Sequence, residues 1–341
     1  MAKKLKIAFV NAYQNKVNRG AERFVVEVAK RLSRSCEVSL LSGNLVFRKR
    51  WPLLWRIFVD RSGLSILFFT LGKLPDIWNQ KFDVVIPLNG GWQAVLIRLI
   101  TWFYGGKMVV VGQSGIGWDD RVNLWVFPDV FVGISTKACD WARKINPWVK
   151  STYLPNGVDM NKFKFSGKKF STELGRPRVL CVGALTSAKR IDLAIGAVAK
   201  LKEVSLLVVG NDGEEKEALQ NLGKDLLGNR FQLMSVGLEQ MPAIYRSADI
   251  FTLPSLPSHS FEIVLVEAMA MGLPVVANDD PIRREIVGDA GLLVNPTNLD
   301  SYVLALKKAL DMPRDGRYRR QAEKFDWDEI AKKYEGLFLE L

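Results

Sequence analysis

The chain is poor in the features that would support most alternative readings. It has one histidine and three cysteines in 341 residues. Cys36, Cys139 and Cys181 lie far apart, so the sequence carries neither a metal-ligand pattern nor a disulfide framework. The longest apolar tracts, residues 64–71 and 94–104, are shorter than the roughly 20 residues a spanning helix needs, and Arg98 interrupts the second. The start, MAKKLKIAFVNAY, is basic but has only a short apolar run and no small-residue cleavage site, so a first strand is expected there rather than a signal peptide. A GxGxxG fingerprint is missing, which disfavours NAD. Asp-x-Asp occurs once, at Asp326 and Asp328, where the final helix begins; there it complements the helix dipole, and no metal is implied.

Acidic residues are scarce in one half only. Residues 1–165 hold 25 Lys plus Arg against 11 Asp plus Glu, a net of +14; the rest hold 23 against 25, a net of −2, which together make the +12 of the chain. Part of the excess gathers in VFRKRWPLLWRIFVDR, residues 46–61, where Arg48, Lys49, Arg50, Arg56 and Arg61 interleave with Trp51, Trp55 and Phe58. Near an anionic bilayer each basic residue contributes about 1 kcal/mol, and indole rings favour the interface. The segment, through Arg48, Lys49, Arg50, Trp51 and Trp55, therefore fits an anionic membrane surface. A solvated basic face with its aromatics packed inward is the alternative. Nucleic acid fits least, because no recognised nucleic-acid module accompanies the charge.

A chain of this length exceeds the size at which one core stops growing, so two domains are expected. Apolar runs near 6–11, 37–41, 83–88, 107–113 and 130–135 alternate with helical patterns such as 21–32. The rhythm repeats at 178–185, 204–210, 230–236 and 250–253. Continuous apolar strands alternating with helices predict two α/β domains with parallel sheets. The crossing between them is expected at 153–163, where Pro155 and Gly157 punctuate the chain. Open α/β sheets bind ligands at the carboxyl ends of their strands, and pockets gather at domain interfaces, so a site is expected in a cleft between the halves. There Gly20 opens a helix after the first strand. Gly183 permits close backbone approach, Lys189 supplies a cation, and Gly210 starts a GNDG turn after a strand.

The most informative stretch is LPSLPSHSFEIVLVEAMAMGLPVVANDDPIRREIVGDA, residues 253–290. It reads as a strand end, a polar loop, a helix and another strand. Glu267 is the one carboxylate inside an apolar helix, and a buried carboxylate needs hydrogen-bond donors. Ser258 or Ser260 can cap the helix, leaving backbone N–H groups near Ser260, Phe261, Glu262 and Ile263 for an anion such as phosphate. A nucleotide satisfies both demands, with phosphates at the helix start and ribose hydroxyls two turns on. A glutamate held by the protein's own amide or arginine satisfies the second equally well.

This stretch resembles the donor-site signature of the family-4 retaining glycosyltransferases, enzymes of the GT-B fold. RGAER, LPNGVDMNKF, VGALTSAKRIDLAI, LLVVGNDGEE and YRSADIFTLPS are similar to family segments and occur in family order over most of the chain. The resemblance implies two Rossmann-like βαβ domains facing across a cleft, with residues 1–160 binding acceptor, 161–324 binding nucleotide sugar, and a helix at 325–341 returning to the first domain. It implies that Glu267 holds the ribose of a UDP- or GDP-sugar, with no separate cofactor. Two departures stand out. His259, the only histidine, replaces the family's first glutamate, eight positions before Glu267; and Ala184 replaces the arginine of a diphosphate-gripping pair, leaving Lys189, with Arg190 able to supply the missing charge. Many members have a histidine near Gln113 and Ser114, neither of which is a convincing base.

The expected function is a retaining, metal-independent hexosyl transfer from a nucleotide sugar to a saccharide or lipid-linked acceptor. In that reading the protein acts in the cytoplasm or on the inner face of the cell membrane, in cell-envelope or polysaccharide biosynthesis. His259 is expected at the sugar, Lys189 and the helix-start amides at the diphosphate, and Glu267 at the ribose. A nucleotide-sugar-binding or membrane-docked partner with weak or no catalysis is the alternative, because His259 stands where a glutamate is usual.

Overall fold

The structure, a computed structural model, describes residues 4–341 except 15, 17–19, 47–55, 114–115, 212 and 258–260, and gives the backbone alone at 56 and 57. The basic-aromatic stretch from Arg48 to Trp55, Ser114, His259 and the two candidate capping serines, Ser258 and Ser260, lie outside the described residues. The chain forms two compact units. Unit 1 comprises 1–156 and 327–341; unit 2 comprises 157–326. The expected divisions lay at 160 and 324; within unit 2 Val158 bridges to Asp326.

Unit 1 runs β1 (Lys6–Asn11), α1 (Gly20–Leu32), β2 (Glu37–Ser42), α2 (Arg56–Val59), α3 (Arg61–Gln80), β3 (Val84–Pro87), α4 (Trp92–Tyr104), β4 (Lys107–Gly112), α5 (Trp118–Trp125), β5 (Val130–Gly133), α6 (Thr136–Ile145) and β6 (Lys150–Tyr153). Unit 2 runs β7 (Arg178–Val182), α7 (Ile191–Ala199), β8 (Ser205–Val209), α8 (Lys216–Leu227), β9 (Phe231–Met234), α9 (Met241–Arg246), β10 (Ile250–Leu253), α10 (Ile263–Ala270), β11 (Val275–Asn278), α11 (Pro281–Val287), β12 (Gly291–Val294), α12 (Leu299–Leu310) and α13 (Arg317–Glu323). The last helix, α14 (Trp327–Leu339), belongs to unit 1.

Each unit holds a six-stranded sheet whose strand pairs are parallel, ordered β2-β1-β3-β4-β5-β6 and β12-β11-β10-β7-β8-β9. The interior strands β3, β4, β5, β7, β8, β10 and β11 are buried almost throughout, as expected of strands covered on both faces. Edge strands β6 and β12 are only partly buried. The short KSTY run carries little apolar signal, and pairing with β5 along one side is what makes it a strand.

In both sheets the chain reverses direction beside its first strand. In unit 1 β1 leads to β2 on one side while β3 lies on the other; in unit 2 β7 leads to β8 on one side while β10 leads to β11 on the other. The loops after β1 and β3, and after β7 and β10, therefore splay apart and leave a crevice at the carboxyl edge of each sheet.

α14 joins unit 1 through aromatic packing on α1. Phe24 lies 6.2 Å from the Trp327 ring and 5.5 Å from that of Tyr334, and Arg31 Nε donates to Asp328 at 2.7 Å. Asp328 thus pairs with an arginine across two helices, and Asp326 sits in the bridge to Val158; both have structural partners. Trp327 is fully buried, so Trp327→Ala is expected to destabilise unit 1 by about 3–5 kcal/mol, read as a lowered denaturant midpoint, whereas Trp327→Phe retains most of the packing.

Candidate functional site

The residues following β7 and β10 converge at the switch point of unit 2. After β7 the chain makes a 3-10 turn, Ser187–Lys189, and Arg190 then adopts φ 47° before α7. After β10, α10 starts at Ile263, preceded by Glu262 at φ 49°. A left-handed conformation in a residue other than glycine costs of the order of 1–3 kcal/mol and persists only where surroundings enforce it. Two such residues, one on each loop, flank a single ion pair: Lys189 Nζ donates to Glu262 Oε1 at 2.6 Å.

That carboxylate is almost sealed. The Glu262 side chain is 6% exposed and also receives Arg283 Nη2 at 3.3 Å, whose own side chain is fully buried. Arg283 continues to Ser255 Oγ at 2.8 Å and to Asp280 at 3.1 Å, and Asp280 caps α11 by accepting from the Ile282 and Arg283 amides. Lys189 and Arg283 thus meet on Glu262, and Arg283 also pairs with Asp280, two cations and two carboxylates in one cluster. Removing one member of such a buried network leaves an uncompensated charge and costs about 3–5 kcal/mol.

Arg190 takes a different part from the one expected. Its guanidinium donates to the carbonyls of Pro254 and Ser255 at 2.8 and 3.0 Å and to Asn278 Oδ1 at 3.1 Å. It latches the loop after β10 rather than offering its charge to a diphosphate. The side chain that joins Lys189 on the carboxylate is Arg283, which sequence reasoning missed. Its signal was the DDPIRRE pattern, with Arg283 three residues after a capping aspartate, but an exposed arginine would leave the same trace.

The residue before α10 is Glu262, which makes no side-chain capping bond and is turned toward Lys189; the serines expected to cap the helix lie outside the described residues. The Phe261 ring packs edge-on to Phe325 at 5.5 Å, and Ile263 begins the helix. Glu267 is 1% exposed and accepts from Tyr245 Oη at 2.7 Å. One donor that the buried carboxylate requires is therefore supplied by α9.

The glycines separate into two kinds. A Cβ on Gly183 would meet its neighbours at ordinary contact distance, whereas one on Gly210 would lie 2.3 Å from the Gly183 carbonyl oxygen. Gly210 is accordingly required by the packing of the two loops. Their amides are committed as well, Gly183 N–H to Val209 O at 3.1 Å and Gly210 N–H to Met234 O at 3.0 Å. Gly20 belongs to unit 1, where it opens α1 at an exposed position.

The switch point of unit 1 carries a polar network that the sequence reading did not single out. Asn89 Nδ2 donates to Asn11 Oδ1 at 3.1 Å, the Ala12 amide and Gln93 Nε2 both donate to Asn89 Oδ1, and Asn11 Nδ2 reaches Gln14 at 3.0 Å. Gln113 and Asn156 exchange amide hydrogen bonds at 3.1 and 2.9 Å, and a neutral amide offers no basic site. Nearby in the fold, Asp120 on α5 is buried, and burial lifts its carboxyl to about 7 despite an Asn123 hydrogen bond and with a further push from Asp119. The sequence reading did not single out Asp119 or Asp120, because burial cannot be read from a first-turn aspartate.

Among the described residues no group of histidine, cysteine and carboxylate side chains could hold a metal, and no helix is long and apolar enough to cross a membrane.

Two parallel six-stranded α/β units, each with its crevice at a switch point, define the GT-B class of architecture. Sequence comparison carries this further: residues 176–312 match the profile of the family described as Glycosyl transferases group 1. Over 190 residues it is 35% identical to a phosphatidyl-myo-inositol mannosyltransferase of Mycolicibacterium smegmatis, an alignment covering 52% of this chain and 49% of that protein. It is 28% identical to an O-antigen biosynthesis glycosyltransferase, WclY, of Escherichia coli over 272 residues, covering 77% and 73%. The chain thus spans about half the length of the first curated relatives it matches. Among solved structures, the sucrose-phosphate synthase of Thermosynechococcus elongatus superimposes with a TM-score of 0.80 at 18% identity, covering 99% of both chains. The Anabaena protein HepE in complex with UDP and glucose gives 0.74 at 17%, covering 99% and 100%.

The Asp120 environment sets a pH dependence. With its folded value raised from 3.8 to about 7, the native state holds a proton that the unfolded chain releases, so stability falls as pH rises through that window and is level above it. Asp120→Asn keeps the neutral form. It is expected to equal the wild type near pH 4 and to exceed it above about pH 7, by up to about 4 kcal/mol, in thermal melts run across the range.

Proposed function

We propose that this protein is a retaining, metal-independent glycosyltransferase. It moves a hexosyl group from a UDP- or GDP-sugar to a saccharide or lipid-linked acceptor, from the cytoplasmic side and at the membrane surface. The observation that carries the reading is Lys189, held at the switch point of unit 2 by Glu262, a carboxylate that Arg283 also binds, with Glu267 on the short helix that follows. The named relatives point the same way: one is a mannosyltransferase of a phosphoinositide, another builds O-antigen, and HepE holds UDP and glucose.

In this reaction the bond from the anomeric carbon to the diphosphate breaks, the acceptor oxygen bonds to the same face, and the acceptor's proton passes to the departing diphosphate oxygen. Negative charge grows on the leaving diphosphate. Lys189 is the cation suited to receive it, and a preoriented donor acts where charge develops, without reorganising at that moment. Glu262 already occupies Lys189, so a phosphate oxygen must share or displace it. Glu267, oriented by Tyr245, is assigned to the ribose hydroxyls. His259 is assigned to the donor sugar by its place in the sequence alone, eight positions before Glu267.

A second reading, a nucleotide-sugar-binding subunit with weak or no turnover, is favoured by that histidine in place of a glutamate. Release of free UDP or GDP from a panel of nucleotide sugars, with lipid-phosphate or saccharide acceptors, separates the two. Turnover reduced by about a hundredfold or more in Lys189→Ala, as when a transition-state donor is removed, and lost in Glu267→Ala supports the transferase. Donor binding without turnover supports the second reading, and no nucleotide binding at all overturns both.

Competition at Lys189 has its own consequence. Glu262→Gln is expected to bind UDP or GDP about tenfold more tightly than wild type by calorimetry, a gain of about 1.4 kcal/mol. Equal or weaker binding would mean that Glu262 positions Lys189 rather than opposing the phosphate.

A further inference from the structure

α3 and α4 present an inverted pattern. Toward the core α3 buries Ser62, Ile66, Thr70 and Ile77, and α4 buries Gln93, Ile97, Arg98 and Thr101. Outward, α3 exposes Leu64, Phe68, Leu71 and Trp78 by 43, 69, 43 and 47%. These positions recur at helical spacing and form one stripe. α4 exposes Leu99, Trp102 and Phe103 by 45, 58 and 79%. The two helices pack on each other, Trp78 meets the Tyr104 ring at 6.5 Å, and Ile77 and Ile97 enter the same core cluster. Both helices therefore cover the same face of the sheet, and their outward stripes lie side by side.

The four aromatic rings, each about 150–250 Å² and exposed as above, leave on the order of 500 Å² of apolar surface, the size at which an uncovered patch marks a binding surface. Charge selects the occupant. On α4 the only charged residue is Arg98, which is turned inward to Asp129 at 2.5 Å. On α3 the charges are Arg61, Lys73 and Asp76, and the exposed Lys81 follows directly. The first 165 residues carry a net +14. A second copy docked on this face would set two strongly positive halves against each other. An anionic bilayer instead meets aromatic side chains suited to its interface and cations suited to its headgroups.

We propose that the α3–α4 face is the surface by which this protein docks on an anionic lipid membrane, with Phe68, Trp102 and Phe103 as the inserted side chains. The inference rests on the membrane element of the reading above and specifies where contact is made. It assigns the apolar contact to the described helices α3 and α4. It requires nothing of the transfer chemistry.

The test is co-sedimentation of the full chain with vesicles of phosphatidylcholine alone and of phosphatidylcholine mixed with phosphatidylglycerol. Wild type is expected to partition onto the mixed vesicles, and a Phe68→Ser, Trp102→Ser, Phe103→Ser variant to lose at least tenfold of that partitioning. The three side chains are exposed, so the variant should keep the wild-type melting midpoint and nucleoside-diphosphate affinity. In an otherwise wild-type chain, Trp102→Phe should weaken the quenching of tryptophan emission by lipids with brominated tails, which checks the contact without removing an aromatic ring. Failure of the wild type to bind mixed vesicles overturns the inference. So does wild-type binding that persists in the triple variant but is abolished by changing Arg48, Lys49 and Arg50 to serine, an outcome that leaves membrane association standing by another surface. A wild-type dimer that the triple variant converts to monomer assigns the face to a second copy instead.

Discussion

The arrangement at the switch point of unit 2 depends on one buried carboxylate. Glu262 is held in a left-handed turn and shared between Lys189 and Arg283. Without it, two cations would face each other in a site with little water. With it, Lys189 is oriented in a place where a solvent-exposed lysine would wander. Arg283 in turn depends on Asp280 and Ser255, so the cluster ties the loops after β7, β10 and β11 into a single ionic unit. The strained backbone at Arg190 and Glu262 is tolerated because the side chains it aims, one at the Pro254 and Ser255 carbonyls and one at Lys189, are bound on arrival.

Glu267 has a different basis. It lies in a helix that is otherwise apolar and is nearly inaccessible, with Tyr245 supplying a hydrogen bond. Sequence reasoning demanded a partner for this carboxylate and left open whether ligand or protein provided it. A tyrosine from the neighbouring helix provides part of the answer. A carboxylate fixed at one oxygen by a phenol is well suited to orient a further donor, and this fits the ribose role assigned to it.

The two units use the same topology for different electrostatics. Unit 2 brings ion pairs to its switch point, whereas unit 1 brings amides: Asn11, Gln14, Asn89 and Gln93, joined by hydrogen bonds. Amide groups both donate and accept without net charge, so they suit neutral hydroxyl-bearing surfaces better than phosphates. The excess positive charge of the N-terminal half is carried elsewhere, and the α3–α4 face lies beside part of it.

The alternation of apolar runs with helical patterns already implied two parallel α/β units, because a strand buried on both faces must be apolar throughout and a crossover helix must be amphipathic. The apolar tracts at 64–71 and 94–104 could be excluded as spanning helices by length alone. Family resemblance singled out Lys189 and Glu267 because spacing along one chain survives in a string of letters. What the string could not express was which side chains meet across loops 70 to 90 residues apart, as Lys189 and Glu262 do, with |i−j| of 73. Only the tertiary structure decided that Arg283 rather than Arg190 joins that pair, that Tyr245 reaches Glu267, that Asp120 is buried, and that the aromatic stripes of α3 and α4 face outward. The physical reason is common to all four: hydrophobicity and spacing specify which face of an element is buried, whereas hydrogen bonding and burial of a given polar atom depend on what a distant element brings against it.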